Sequence, residues 1–378
     1  LRPHFALNEQ QTRFNPLNFM YITYPQLYTF TLQVFQSIGL AETAAHKVTT
    51  NLLRADLRGI DSHGVARLNG YVRLWKSGRI NVNANMQVIH ATPSTATIDA
   101  DAGLGLLAGE IAMHKAIEMA YKVGSGWVAV RNSNHFGIAG QYAMMALPHD
   151  MVGIAMTNAS PLVAPSRAIE RMLGTNPIAV AIPAGEEAPF VADFATTTAA
   201  NGKLEMLQRK NLEAPIGWIQ DASGQISVNP HELKKGGALL PLGSDEERAG
   251  HKGYCLGAWV DIFSGVLSGA GFGPWVPPFV NFLPLPQNPP GEGIGHFFGA
   301  MRIDGFQDKA HFKQNMDLWI RRFKSAKPIA EDRPVLIPGE IEAASEKHRL
   351  ENGWEILPAV IDDLNTLADE LSVQRLVQ

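Results

Sequence analysis

The chain has 378 residues, of which 46% are hydrophobic and 18% charged, which describes a folded globular protein with room for a sizeable core. Its formal net charge is -4 at pH 7 with no block of like charges, and this argues against nucleic acid or an anionic membrane as a partner. One cysteine, Cys255, excludes an intrachain disulfide framework and a cysteine-based zinc site; the 12 histidines show neither an HExxH pattern nor metal-ligand spacing, so no metal site is expected.

Residues 1–18 read as a polar tail without the apolar core of a secretory signal. Leu27, Phe30, Val34 and Ile38 then recur at helical spacing up to Gly39, and Ala41, Ala45, Val48, Leu52 and Ala55 repeat the pattern. A third helix is expected over 68–75, stopped near Gly78. From about Met86 the texture changes. Strands at 95–100, 127–131, 152–157, 178–182 and 190–194 alternate with helical stretches, the pattern of an α/β domain. Residues 203–243 are polar and turn-rich, 251–267 read as a buried helix, and a proline-rich loop occupies 274–290. The uncharged run 262–290 is the membrane candidate, but Gly265, Gly269, Gly271, Gly273, Pro274 and Pro277 interrupt it. No spanning helix is therefore expected, and a cytoplasmic location follows by default. A strand at 299–305, an amphipathic helix through Phe312, Met316, Trp319, Ile320 and Phe323, and a short strand or turn at 334–339 come next. A last helix carries Ile361, Leu364, Leu367, Ala368 and Leu371, and no internal repeat is visible. The expected divisions are a tail at 1–18, a helical segment at 19–85, an α/β region at 86–298, and a segment at 299–378 that packs with the first helices.

The stretch Asp61-Ser62-His63-Gly64-Val65-Ala66-Arg67 carries the sharpest chemical signal. Imidazole trades protons near neutral pH, and guanidinium is a planar fork for a carboxylate. If Gly64 opens a helical turn, His63 and Arg67 share one face at i, i+4. Such a pair suits a carboxylate next to a carbon whose oxygen gains or loses a proton; capping or a solvated surface is the plainer alternative. Gly103, Gly105, Ala108 and Gly109 follow a strand and open a helix, as a dinucleotide fingerprint does. No acidic residue ends a strand at the required distance, and Glu118 falls inside the helix, so tight packing is the better reading. Asn132-Ser133-Asn134-His135-Phe136-Gly137 ends a strand where α/β proteins bind ligands, or else caps a strand-to-helix turn. Gly174-Thr175-Asn176-Pro177 stands in a similar place. Asp193, on a short apolar strand, is either a site residue or a strand-end cap. His251-Lys252-Gly253 puts two cationic groups before an apolar helix, which suits a phosphate or simple solvation. Ser62 and His63 would fit a hydrolase, but the GxSxG elbow is absent.

Taken in order, the segments 61–67, 131–137, 174–177, 190–197, 251–253 and 336–340 resemble the type 2 malate/L-lactate dehydrogenases. That family also holds sulfolactate, ureidoglycolate and diketogulonate dehydrogenases and an imine reductase. The resemblance runs from about Phe19 to Leu371, and SHGxxR, NxNHFG and GTNP in sequence make it specific. It implies an α/β, non-Rossmann NAD(P)-binding fold with a central mixed sheet and a helical domain built from the N- and C-terminal segments. It further implies NAD or NADP as cofactor and a homodimer with active sites near the subunit interface.

Carried over residue by residue, His63 matches the proton donor or acceptor and Arg67 the partner of the substrate carboxylate. Ser62 and Asn176 fall on the substrate side, and His135 and Asp193 match further active-site groups. Cofactor contacts fall on Phe190, Val191, Ala192, Asp193, Phe194, Ala195 and Thr196, on His251 and Lys252, and on Pro338, Gly339 and Glu340. The implied reaction is hydride transfer between a nicotinamide and a 2-hydroxy or 2-oxo acid of malate or lactate type. The alternatives are reduction of a cyclic imine or another 2-oxo acid (sulfopyruvate, oxalurate, diketogulonate) and, from another class, a catalytically silent binding or scaffold protein. Residues 271–295 are longer and richer in Pro and Trp than the matching loop of the diketogulonate and ureidoglycolate relatives. A place beside the site would let this loop narrow substrate choice.

Overall fold

The computed structural model describes residues 20–377; the expected tail at 1–18 lies outside them. In chain order, β1 (Met20–Ile22) precedes α1 (Tyr24–Ser37) and α2 (Glu42–Leu57), and a 3-10 turn (Val65–Arg67) leads into α3 (Leu68–Lys76). Next come β2 (Gln87–Ala91), β3 (Thr95–Asp99), α4 (Gly105–Val123), β4 (Ser125–Ser133) and α5 (Gly140–Met144). Strands β5 (Met151–Thr157), β6 (Ile178–Ile182) and β7 (Phe190–Phe194) follow, then α6 (Asn201–Lys210). Three short strands, β8 (Ile219–Gln220), β9 (Ile226–Ser227) and β10 (Ala238–Leu239), precede α7 (Gly250–Asp261), which runs into a π-helical turn (Ile262–Val266). The chain finishes with β11 (Ile294–Arg302), α8 (Lys309–Lys324), α9 (Glu340–Asn352), β12 (Trp354–Ile356) and α10 (Pro358–Leu371).

One compact unit is Gly70–Gly339. Its seven-stranded sheet has the order β2-β3-β4-β11-β5-β6-β7, and only the β3–β4 pair is parallel. α4 supplies the crossover that a parallel pair requires. A doubly wound dinucleotide fold is built on parallel strands around a switch point, so this mixed sheet is not a Rossmann fold. Ala108, Ala112, Ala116 and Ala120 of α4 pack on Val128, Val130, Phe298 and Ala300. The small side chains allow a close approach; a Cβ on Gly126 would lie 2.1 Å from the Ala116 carbonyl oxygen. On the other face Trp127, Ile154 and Phe297 meet Val260 and Phe263. β11 begins at Ile294, ahead of the expected 299, and lies at the centre of the sheet. A strand buried on both faces carries no alternation, and His296 interrupts its apolar run, so periodicity alone hides its start.

The other unit combines the two ends of the chain, up to Asn69 and from Glu340. α2 contacts α9, and α1 contacts both α2 and α10. β1 pairs antiparallel with β12, placing Tyr21 opposite Glu355. Glu346 receives both Arg54 and Arg58, at 2.5 and 3.1 Å, and Arg349 pairs with Asp61. This is the helical domain of N- and C-terminal segments that the resemblance implies. The divisions fall at 69/70 and 339/340, whereas the sequence texture changes near 85/86 and 298/299. α8 accordingly belongs with the sheet and not with the terminal helices.

Other departures are local. The stretch 251–267 is helical but buried on one side only: Val260 and Ser264 are covered, while Trp259, Ile262, Val266 and Leu267 stay exposed. Within the polar 203–243 stretch lie most of α6 and a small sheet of β10, β8 and β9. Residues 334–339, expected as a short strand or turn, contain no strand and end in a turn at 338–339. Among the described residues, no helix is long and apolar enough to cross a membrane.

Candidate active site

The Asp61–Arg67 motif begins where α2 ends, with Gly59 at φ +77 turning the chain. Asp56, on the last turn of α2, is buried and its Oδ2 accepts the Val65 backbone N–H at 2.7 Å. A Cβ on Gly64 would lie 2.0 Å from that same Oδ2, so only glycine lets the carboxyl reach the turn. Burial pushes the Asp56 carboxyl well above its usual range. Gly64 precedes a 3-10 turn and not an α-helical one, which corrects the simple i, i+4 picture. What draws Arg67 back along the motif is its Nε, which donates to the Ser62 carbonyl at 2.5 Å. Ser62 Oγ lies 2.9 Å from His63 Nδ1. Burial, and then the Arg67 guanidinium, lower the His63 pKa from 6.5 to about 4. His63 is therefore a neutral imidazole beside a fixed positive charge at pH 7.

In the Gly70–Gly339 unit, the polar run after β4 is held by backbone and by aromatic neighbours. The Asn134 amide donates toward the carbonyls of Arg79, Ala102 and Gly103, at 3.2, 2.9 and 3.1 Å, which holds it in the fold. His135 Nδ1 lies 2.7 Å from the Tyr71 hydroxyl and 3.3 Å from the Gly137 backbone nitrogen. Phe279, from the proline-rich loop, packs 4.6 Å from the His135 ring centroid. This loop does border His135. The glycine run after β3 serves packing. A Cβ on Gly105 would lie 1.9 Å from the Asn134 carbonyl oxygen, and one on Gly109 would lie 2.7 Å from the Tyr142 ring.

Around β7, backbone bonds gather three of the singled-out segments. Thr196 N–H donates to the Thr175 carbonyl, Leu242 N–H to the Thr196 carbonyl, and Gly253 N–H to the Leu242 carbonyl, at 2.9, 2.9 and 3.1 Å. GTNP, the end of the 190–197 segment and the start of α7 thus lie together. Val191 N–H donates to the Pro338 carbonyl at 2.9 Å, and Gly339 at φ +98 passes Val191 where a Cβ would come within 2.9 Å. Asn176 is fully buried; its Oδ1 accepts from Ala159 N–H and its Nδ2 donates to the Gly257 carbonyl. Both ends of its amide brace the turn. Asp193 Oδ2 accepts the Gly140 N–H at 2.7 Å, so this carboxylate ties β7 to the start of α5.

Sequence reasoning passed over four residues: Asp56, Tyr71, Phe279 and His296. Asp56 and Tyr71 sit on ordinary helical stripes, and Phe279 sits in an irregular loop, so periodicity gives no warning. A histidine inside the apolar run of β11 was the one available signal. His296 is fully buried, 2.8 Å from Ser133 Oγ and 2.7 Å from Thr157 Oγ1, and stacked 4.7 Å over Phe136. Burial lowers its pKa from 6.5 to about 3. The unfolded chain takes up this proton first as pH falls below about 6.5. The native state therefore loses stability between there and about pH 3, and nothing is lost above. His296→Gln, which cannot titrate, is expected to flatten the acid limb of stability by up to ~1.4 kcal/mol per pH unit. Urea unfolding across that range reads the slope; a slope equal to wild type would mean that His296 takes no part.

The chain matches the malate/L-lactate dehydrogenase family over residues 22–365. It belongs to that family. Among its relatives, the malate dehydrogenase of Pyrococcus abyssi is 43% identical over 360 residues, covering 95% of this chain and 97% of that one. The L-sulfolactate dehydrogenase of Methanocaldococcus jannaschii is 36% identical, covering 90% and 94%. The solved malate dehydrogenase of Pyrococcus horikoshii OT3 superposes with a TM-score of 0.85 at 39% identity, over 95% of this chain and 97% of that one. Family membership makes the chain a 2-hydroxy acid dehydrogenase, a class whose chemistry calls for a nicotinamide cofactor. The first turn of α7 has no acidic residue and bears exposed His251 and Lys252, side chains of the chemistry that a phosphate takes.

Proposed function

We propose that this chain interconverts a 2-hydroxy acid of the malate class and its 2-oxo acid, with His63 as acid and base and Arg67 as the carboxylate clamp. The observation that carries the assignment is the neutral imidazole of His63 beside the guanidinium of Arg67 on one short turn. In the oxidative direction the neutral ring accepts the hydroxyl proton. Ser62 Oγ at Nδ1 can accept the ring's own N–H, which leaves Nε2 as the basic nitrogen. Arg67 holds the substrate carboxylate and so orients the carbon to be oxidised. The bound carboxylate also offsets the guanidinium charge that disfavours protonation of His63, and the ring becomes more basic as substrate arrives. The nicotinamide, when bound, supplies or takes up the hydride. His251 and Lys252 would face its phosphates, and the strand Phe190–Phe194 with Pro338, Gly339 and Glu340 would flank its remaining length.

The proposal includes a homodimer and a cytoplasmic location. Exposed Trp259, Ile262, Val266 and Leu267 support the first, and the single, exposed Cys255 suits a reducing compartment. The test of the reaction is loss of reduced-nicotinamide absorbance with NADH and NADPH separately, against oxaloacetate, pyruvate and sulfopyruvate. Oxaloacetate is expected to turn over with the highest kcat/KM. Preference for sulfopyruvate would move the assignment to the sulfolactate type, and silence without NADH or NADPH binding would sink it.

A further inference from the structure

Resting on the reading of His135 as an active-site group of the proposed reaction, we propose that Tyr71 is a positioning residue that locks His135 as a hydrogen-bond donor. Two groups converge on Nδ1 of His135, the Tyr71 hydroxyl at 2.7 Å and the Gly137 backbone nitrogen at 3.3 Å. A backbone N–H can only donate, so Nδ1 accepts. The hydroxyl on the same nitrogen then donates as well. With two donors at Nδ1, the proton of the neutral ring sits on Nε2. Whatever Nε2 meets, it meets as a donor, which is the polarity needed by a carbonyl or carboxylate oxygen of a 2-oxo acid.

The surroundings make this arrangement rigid. Tyr71 is fully buried, and Phe279 lies against both rings, 4.6 Å from His135 and 5.4 Å from Tyr71. Phe279 is itself held on its backbone: its N–H donates to Ser160 Oγ at 2.9 Å and its carbonyl accepts from Arg73. Arg79 takes the neighbouring Pro278 carbonyl at 2.8 Å. Gly70 makes room beneath, since a Cβ there would lie 2.3 Å from the Phe279 ring. The proline-rich loop thus acts on the reaction by clamping a ring.

The test compares Tyr71→Phe, His135→Gln and His135→Ala for oxaloacetate kcat and KM and for NADH Kd, with imidazole 15N NMR of the wild type and of Tyr71→Phe. The neutral wild-type ring should show an acceptor-type Nδ1 and a protonated Nε2. Tyr71→Phe leaves the longer 3.3 Å Gly137 contact to hold Nδ1 without the 2.7 Å hydroxyl, so it should admit a share of the other tautomer and lower kcat/KM by about 5–10-fold, the worth of one hydrogen bond. His135→Ala should lose about 10²–10³-fold, as for removal of a preorganised donor. His135→Gln, whose amide can still donate, should recover most of that loss. No effect of His135→Ala would refute the reading of His135 as an active-site group. A large loss shared equally by Gln and Ala would overturn the donor role alone. An Nδ1-protonated wild-type ring, or an unmixed tautomer in Tyr71→Phe, would remove Tyr71 from the account, and the wild-type spectrum decides this even if the variant fails to fold.

Discussion

His63→Ala is expected to lower turnover by about 10²–10⁴-fold, the usual worth of a positioned general acid or base, with NADH affinity unchanged. The pH profile makes the assignment specific. Burial and Arg67 hold the His63 pKa at about 4, so the ring is neutral over the physiological range. Oxidation of the hydroxy acid needs that neutral form; its kcat/KM should be flat above the pKa and fall as pH drops through about 4. Reduction of the oxo acid needs the protonated form, so its kcat/KM should decline as pH rises above the same value. Both limbs should vanish in His63→Ala. Steady-state rates in both directions, with fluorescence titration of NADH, supply the data. Equal loss of turnover and cofactor affinity would end the proton-transfer role, and so would survival of either limb in the variant.

Arg67→Lys should raise KM for the 2-oxo acid by about 10–100-fold, in line with about 1.5–3 kcal/mol for a charged hydrogen bond. The physical reason is geometric. The Arg67 guanidinium anchors to the Ser62 carbonyl through Nε, and a planar fork can hold that contact while gripping a carboxylate. An ammonium is a point charge on a flexible stem and cannot do both. Because lysine keeps the charge near His63, the acid limb of the oxidation profile should stay in place. Arg67→Met, which removes the charge, should raise KM and also move that limb upward, since a cause of the lowered His63 pKa is gone. A KM unchanged in Arg67→Lys would retire the clamp, and a limb that stays put in Arg67→Met would remove the charge coupling.

The sequence by itself determined the helical stripes, most strands and the family. Leu27, Phe30 and Val34, or Ile361, Leu364 and Leu367, face a core at a period that local chemistry imposes, and they are buried as that period requires. The strands Ile178–Ile182 and Phe190–Phe194 are legible for the same reason, as short apolar runs between turn residues. His63, Arg67 and His135 could be singled out because their side chains carry their chemistry wherever they sit. What each one does with that chemistry was decided by contacts far apart in sequence.

Only the tertiary structure decided that β11 occupies the middle of the sheet, since burial on both faces erases the alternation that would have marked it. The same holds for Asp56 capping the 61–67 turn, for Asn176 spending its amide on backbone, for Asp193 accepting the Gly140 N–H, and for Phe279 closing over His135. These roles belong to pairs of residues separated by loops and strands. A hydrogen bond or a stacked ring depends on where the fold places both partners, and neither partner's local sequence records that distance.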